Sequence, residues 1–162
     1  MKRKRILLTL VIAAFLSACS TKQYMKQESA MIVLKTPTLK YADLGFIYKN
    51  NDETKVEIYG SGQVLMKFTI SDTSICMSLF ECMDKKSFNK HILSAYYPQD
   101  ILNHIFRGEQ IFDGAKSIKT RNGFTQHLVK DGDYHIKYSV LNNQILFHDT
   151  INNILIKIKR LQ

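Results

Sequence analysis

The chain has 162 residues, with 23 Lys and Arg against 14 Asp and Glu (formal net charge +9) and 45% hydrophobic residues. The length suffices for one domain with a real core. No internal repeat, phosphate-binding glycine loop or nucleophile elbow interrupts it, which sets aside nucleotide-binding and elbow-type hydrolase classes.

The first residues read as a targeting segment. Lys2, Arg3, Lys4 and Arg5 precede an apolar run, Ile6 to Leu16, and then small residues, the order of a secretory signal. The run is shorter than the roughly 20 residues a membrane-spanning helix needs. It ends in Leu16-Ser17-Ala18-Cys19-Ser20, which resembles the lipobox of bacterial lipoproteins, where the cysteine is lipidated and becomes the mature N-terminus. Cys19 is therefore the expected lipid anchor. Ser20 in place of Asp after that cysteine implies the outer membrane, with the domain on the periplasmic side. Residues 1–18 are assigned to the signal, 19–33 to the lipidated cysteine and a polar flexible tether, and 34–162 to a single folded domain. Removing the signal leaves 19 Lys and Arg against 14 Asp and Glu, a modest net charge of +5.

Beyond the tether the chain reads as strand after strand. Leu39 to Lys49 has strand composition, and Lys49 to Glu53 is a turn. Lys55 to Tyr59 alternates, and Gly60-Ser61-Gly62 turns the chain into a second strand on which Val64, Met66, Phe68 and Ile70 share one face. Cys76 and Cys82, in ICMSLFECM, are expected to close a small hairpin as a disulfide in an oxidising compartment. Their spacing is not that of a redox pair.

Two segments break the strand pattern. Ser87 to Leu93 is one. The other begins at Pro98, carries Asp100 near the positive end of a helix dipole and stops at Gly108, which predicts a helix of about ten residues, or ~15 Å. Ile101, Leu102, Ile105 and Phe106 make its apolar face, with Gln99, Asp100, Asn103, His104 and Arg107 opposite.

The C-terminal third lets the strand register be worked out. A three-residue connection, Asp131 to Asp133, pairs Leu128 with Ile136 and Phe124 with Val140, whereas a two-residue loop would set apolar side chains against polar ones. A two-residue Asn142-Asn143 turn, read as type I′, pairs Tyr138 with Phe147 and Val140 with Ile145. A four-residue loop, Thr150 to Asn153, then sets Phe147 against Ile156 and Ile145 against Ile158. Four strands in series share one apolar face, the sign of an antiparallel meander. The expected fold is α+β, mainly β: a curved antiparallel sheet, an incomplete half-barrel, with a short helical lid or plug on its concave face.

Chemistry-bearing groups are sparse. His127 and His148 fall in line with Lys137, one on each side, and a cation in that row argues against a metal site; His91 and His104 lie on polar helix faces. Asp43, Asp72, Asp113 and Asp149 sit at strand or loop edges, where turn roles suffice. No enzyme activity, cofactor or metal is therefore expected. Lys130, Lys137, Lys157, Lys159 and Arg160 are read on the outer face and C-terminus, as solvating charges of a wet sheet face or as an attraction for anionic headgroups or an acidic partner. Nucleic acid is not an expected partner, because the aromatics belong to the apolar face.

The order of features from Lys55 to Gly108 resembles the outer-membrane lipoprotein receptor family LolB. Both have an alternating strand, a glycine-containing tight loop, a second strand, a hairpin, and a helix that starts at proline and closes with Arg-Gly, here Arg107-Gly108. Gly123-Phe124 stands where the family tends to have glycine and tryptophan, and residues 153–158 close the chain as the family's last strand does. The resemblance implies a half-barrel that holds the acyl chains of lipoproteins received from a soluble periplasmic carrier of the LolA kind, and helps insert them in the outer membrane; a monomer is expected. The acyl-chain cavity would be lined by Met66, Phe68, Ile101, Leu102, Ile105, Phe106, Tyr134, Ile136, Tyr138 and Phe147. Gly60, Ser61 and Gly62 would be the membrane-facing loop, although the family's exposed leucine is missing there. The chain also lacks tryptophan, which the family usually bears. The alternative is a non-enzymatic envelope or surface module with a closed β core, binding a protein partner and no lipid.

Overall fold

The computed structural model describes residues 26–78 and 81–161. The signal segment and Cys19 lie outside them. Eleven antiparallel strands form one sheet: β1 Lys26–Lys35, β2 Lys40–Lys49, β3 Thr54–Gly60, β4 Gln63–Ile70, β5 Ser74–Met77, β6 Glu81–Asp84, β7 Ser117–Thr120, β8 Gly123–Lys130, β9 Tyr134–Leu141, β10 Gln144–Asp149 and β11 Ile154–Arg160. Their order is β6-β5-β4-β3-β2-β1-β11-β10-β9-β8-β7, so every neighbour is consecutive in sequence except the central pair β1 and β11. The sheet does not close into a barrel. Two helices, α1 Lys85–Ile92 and α2 Ile101–Arg107, and a 3-10 turn at Phe112–Gly114 occupy the connection between the two edge strands.

The register of the C-terminal meander follows the hydrophobic pattern. Leu128 faces Ile136 and Phe124 faces Val140; Tyr138 faces Phe147 and Val140 faces Ile145; Phe147 faces Ile156 and Ile145 faces Ile158. A slip of one residue would move each of these sets to the wet side. The Asn142-Asn143 connection has the expected two residues, but only Asn142 is left-handed (φ 52°), so the turn is not the type I′ expected, which needs positive φ at both positions.

Three expectations need correction. Residues 26–33 are not tether: they belong to β1, which pairs with β2 on one side and β11 on the other and sends Ala30, Ile32 and Leu34 into the core. The second helix has seven residues, not ten. Pro98 to Asp100 form a lead-in turn, with the Ile101 N–H donating to the Pro98 carbonyl at 3.1 Å. Its end is as expected, since Gly108 adopts φ 76° and the Glu109 N–H returns to the His104 carbonyl at 2.9 Å. Finally, Val64 is 46% exposed instead of sharing the dry side with Met66, because the β3–β4 register shifts between Ile58 and Tyr59 at the end of that hairpin.

Cys76 and Cys82 face each other across β5 and β6 and are joined by a disulfide. The closed loop is short, so removing the bond in a Cys76→Ser, Cys82→Ser double variant is expected to cost about 2 kcal/mol, mostly through the unfolded chain. For a domain of this size a thermal melt should fall by roughly 4–8 °C. An unchanged melting temperature would show that this edge hairpin does not take part in the cooperative unit.

Candidate functional site

The sheet's apolar side is a continuous core running from Ile75 and Phe68 at one end, through Ile32 and Ile156, to Ile136 and Tyr138 at the other. What covers it is the β6–β7 connection. Ile101, Leu102, Ile105 and Phe106 of α2 are all at most 1% exposed, so the apolar face read from the sequence is the face that packs down. Burying each such side chain is worth about 1.5–3 kcal/mol. Phe106 lies against Phe68 (ring centroids 6.5 Å apart), and Phe68 meets Phe88 of α1 edge to face at 6.3 Å.

The ten residues assigned to the acyl-chain cavity are therefore brought to one side of the sheet. Nine of them, Met66, Phe68, Ile101, Leu102, Ile105, Phe106, Ile136, Tyr138 and Phe147, are 8% exposed or less. Tyr134 is half-buried and leans on Phe112 at 5.1 Å and Tyr97 at 6.4 Å. Phe112, Asp113 and Lys116 all carry positive φ (50°, 53° and 51°), so the half-buried rim beside Tyr134 is also where the backbone stores strain.

Polar groups tie this cover to the sheet at several points. The polar side of α2 is not merely solvated. The Arg107 side chain donates through Nε to Thr54 Oγ1 (2.9 Å) and through Nη2 to the Asn50 carbonyl (2.7 Å), which pins the helix to the β2–β3 turn. Asn103 Oδ1 accepts from the Thr54 hydroxyl at 2.8 Å. Beyond the helix, the Tyr138 hydroxyl donates to the Glu109 carbonyl, and the Gln126 amide both accepts from the Ile111 N–H and donates to the Ile111 and Ala115 carbonyls. Within the cover, Lys85 is buried and pairs with Asp100, whose carboxylate thus serves α1 instead of capping its own helix. Asn89 donates to the Pro98 carbonyl at 2.9 Å.

The opposite side is held by Asp149, whose place at a strand edge predicts only a turn role. It does organise the β10–β11 turn, with Oδ1 accepting from the Ile151 N–H at 3.0 Å. It also accepts from the His135 N–H of β9 (3.0 Å) and the Asn152 side chain (2.7 Å), and from the Tyr97 hydroxyl in the α1–α2 linker. Burial by itself would raise the Asp149 pKa, but these donors, Tyr97 foremost, hold it below the ordinary carboxylate value. Burial, reinforced by the Asp149 charge, pushes the Tyr97 hydroxyl far up, so it remains a donor. Nothing local in the sequence links Tyr97 to a residue 52 positions away.

Of the five basic residues read on the outer face and C-terminus, Lys130 and Arg160 lie off the outer face. Arg160 is on the concave side, 2.9 Å from Glu28, with Nη2 3.4 Å from the Arg107 carbonyl at the end of α2. Lys130 pairs with Asp133 at 2.7 Å, its ammonium 5.6 Å from the centre of the Tyr96 ring. Lys137, Lys157 and Lys159 take the outer face, as their partners in register require. Gly60, Ser61 and Gly62 form the tip of the β3–β4 hairpin as expected, and the apolar groups there are Val64 and Leu65, 46% and 53% exposed. Among the described residues no group of three or more His, Cys, Asp or Glu side chains is placed to hold a metal ion.

No protein-family model matches the chain, and a comparison with curated protein sequences likewise finds no match.

Proposed function

We propose that this chain is a lipid-anchored envelope protein whose concave face receives acyl chains when its helical cover is displaced. In this reading it accepts lipoproteins from a soluble periplasmic carrier at the outer membrane and aids their insertion. One observation carries the reading: an 11-stranded sheet is left open, and its whole apolar side is covered by a single connection with two short helices instead of by a second sheet. The described structure is then the closed state, and ligand entry costs the free energy of lifting α1, α2 and the Tyr97 linker. Val64 and Leu65 supply the apolar tip that the Gly60-Ser61-Gly62 turn lacks, and a lipid surface is their natural partner.

The test uses the domain with Cys19 replaced, titrated with a fluorescent acyl probe and then challenged with a lipidated peptide. Saturable binding displaced by the acylated peptide, and not by its unacylated form, is the expected result. Tyr97→Phe removes the cover's hydrogen bond to a carboxylate, a contribution of about 1.5 kcal/mol, so apparent affinity should rise roughly tenfold if opening limits binding. No binding by a cooperatively folded domain would favour the second reading, a closed-core module for a protein partner. The near-complete burial of nine of the ten lining residues is the observation on that side.

A further inference from the structure

The outer face of the sheet holds a histidine pair that its register only half reveals. On β8 and β9, His127 stands opposite Lys137 and Val129 opposite His135, so His127 and His135 are diagonal neighbours on the outer face. Their Nε2 atoms are 2.8 Å apart, with ring centroids at 5.0 Å. His127 is exposed and His135 half-buried, so the point on which the two nitrogens converge is open to water.

At that separation the two rings cannot both be imidazolium, because two N–H groups would meet head-on. Either one Nε2–H donates to the other nitrogen, or both lone pairs turn to a shared cation. In water the hydrogen bond alone gains little over solvent contacts, and ordering two side chains costs conformational entropy. The chelate geometry, in contrast, is already present. With metal–nitrogen bonds of about 2.0 Å, nitrogens 2.8 Å apart subtend about 90° at the metal, the cis angle of a tetragonal ion; a tetrahedral site would want them about 3.3 Å apart.

We propose that His127 and His135 form a two-imidazole site for a divalent transition-metal ion of tetragonal preference, Cu(II) or Ni(II), with water completing the coordination. Lys137 stands beside it and His148 beyond Lys137 on β10. The outer-face rows of β7 to β11 carry no carboxylate beside the pair, and Asp149, which accepts the His135 N–H at 3.0 Å, lies on the buried side of the sheet. Lys137 therefore keeps the affinity down by charge repulsion, and Cu(II), highest in the stability order of the first-row ions, is the ion that binds best.

The full chain with Cys19→Ser, so that no thiolate competes, is titrated with Cu(II) and followed by electron paramagnetic resonance. The expected spectrum shows coupling to two imidazole nitrogens. His127→Ala and His135→Ala should each abolish the two-nitrogen signal and weaken binding about tenfold or more, while His148→Ala leaves both unchanged. Lys137→Gln should tighten binding several-fold. Wild-type affinity and spectrum in His127→Ala or His135→Ala would overturn the site, since neither change touches the core. Uptake of the acyl probe by the same variants should be unaltered, which separates this site from the concave face.

Discussion

Replacing Phe106 by aspartate is expected to prevent the domain from folding at ordinary temperatures. Phe106 is fully buried between α2 and the sheet, and a carboxylate there would have no partner. A buried unpaired charge costs more than about 4 kcal/mol, a large part of the 5–15 kcal/mol that holds a typical domain together. Phe106→Ala separates packing from polarity. It should cost about 3–5 kcal/mol by leaving a void under the helix, yet keep a cooperative melt. Circular dichroism melts of the two variants decide the matter. A Phe106→Asp domain that melts like the parent would mean that α2 does not rest on the concave face in solution, and the acyl-chain reading would lose its lid.

The second large effect centres on Asp149. Asp149→Ala strands the His135 and Ile151 amides and the Tyr97 hydroxyl in a buried corner, and about 3–5 kcal/mol should be lost at neutral pH. The pH dependence follows from the sign of the shift. The Asp149 pKa is lower folded than unfolded, so its contribution is fully present above the unfolded value of about 3.9 and disappears as pH falls through the lower folded value. The gap between parent and variant should thus narrow below about pH 4. A gap that stays constant to pH 2 would mean the carboxylate's charge is not what the surrounding donors recognise.

How far the sequence reveals this molecule depends on whether a residue's partner is near it in the chain. The C-terminal meander was legible because each strand faces its sequence neighbour, and only one register keeps Tyr138, Phe147 and Ile156 on the same side. β1 was not, because its first half, Lys-Gln-Glu-Ser, looks like tether while its partners are β2 and a strand more than a hundred residues away. β7 is too short, at four residues, to show alternation. Pro98 marked the region of α2 but not its first residue, since Asp100 is drawn to Lys85 of the other helix. The apolar residues of the concave face were found by periodicity; the groups that fasten the cover to it, Tyr97, Arg107, Gln126 and Asp149, were not. Each of those acts on an atom 11 or more positions distant. The histidine pair was missed for a smaller reason: reading straight across the strands finds His127 and His148 about Lys137, whereas the contact runs along the diagonal.

The central seam has a consequence for how the chain reaches this state. Each arm of the sheet, β2 to β6 and β7 to β10, is assembled from hairpins that need only neighbouring residues, but the seam joins Ala30 to Arg160. Strand β1 can zip onto β2 at once and must then keep its other edge unpaired until β11 arrives. That edge displays Met31 and Val33 beside Ile32 and Leu34, an apolar, β-branched stretch suited to pairing with any passing strand. Closing that seam carries the largest loop-closure cost in the sheet and is expected to slow folding. Until it closes, the chain is most exposed to self-association, and a holding chaperone would have its clearest target there.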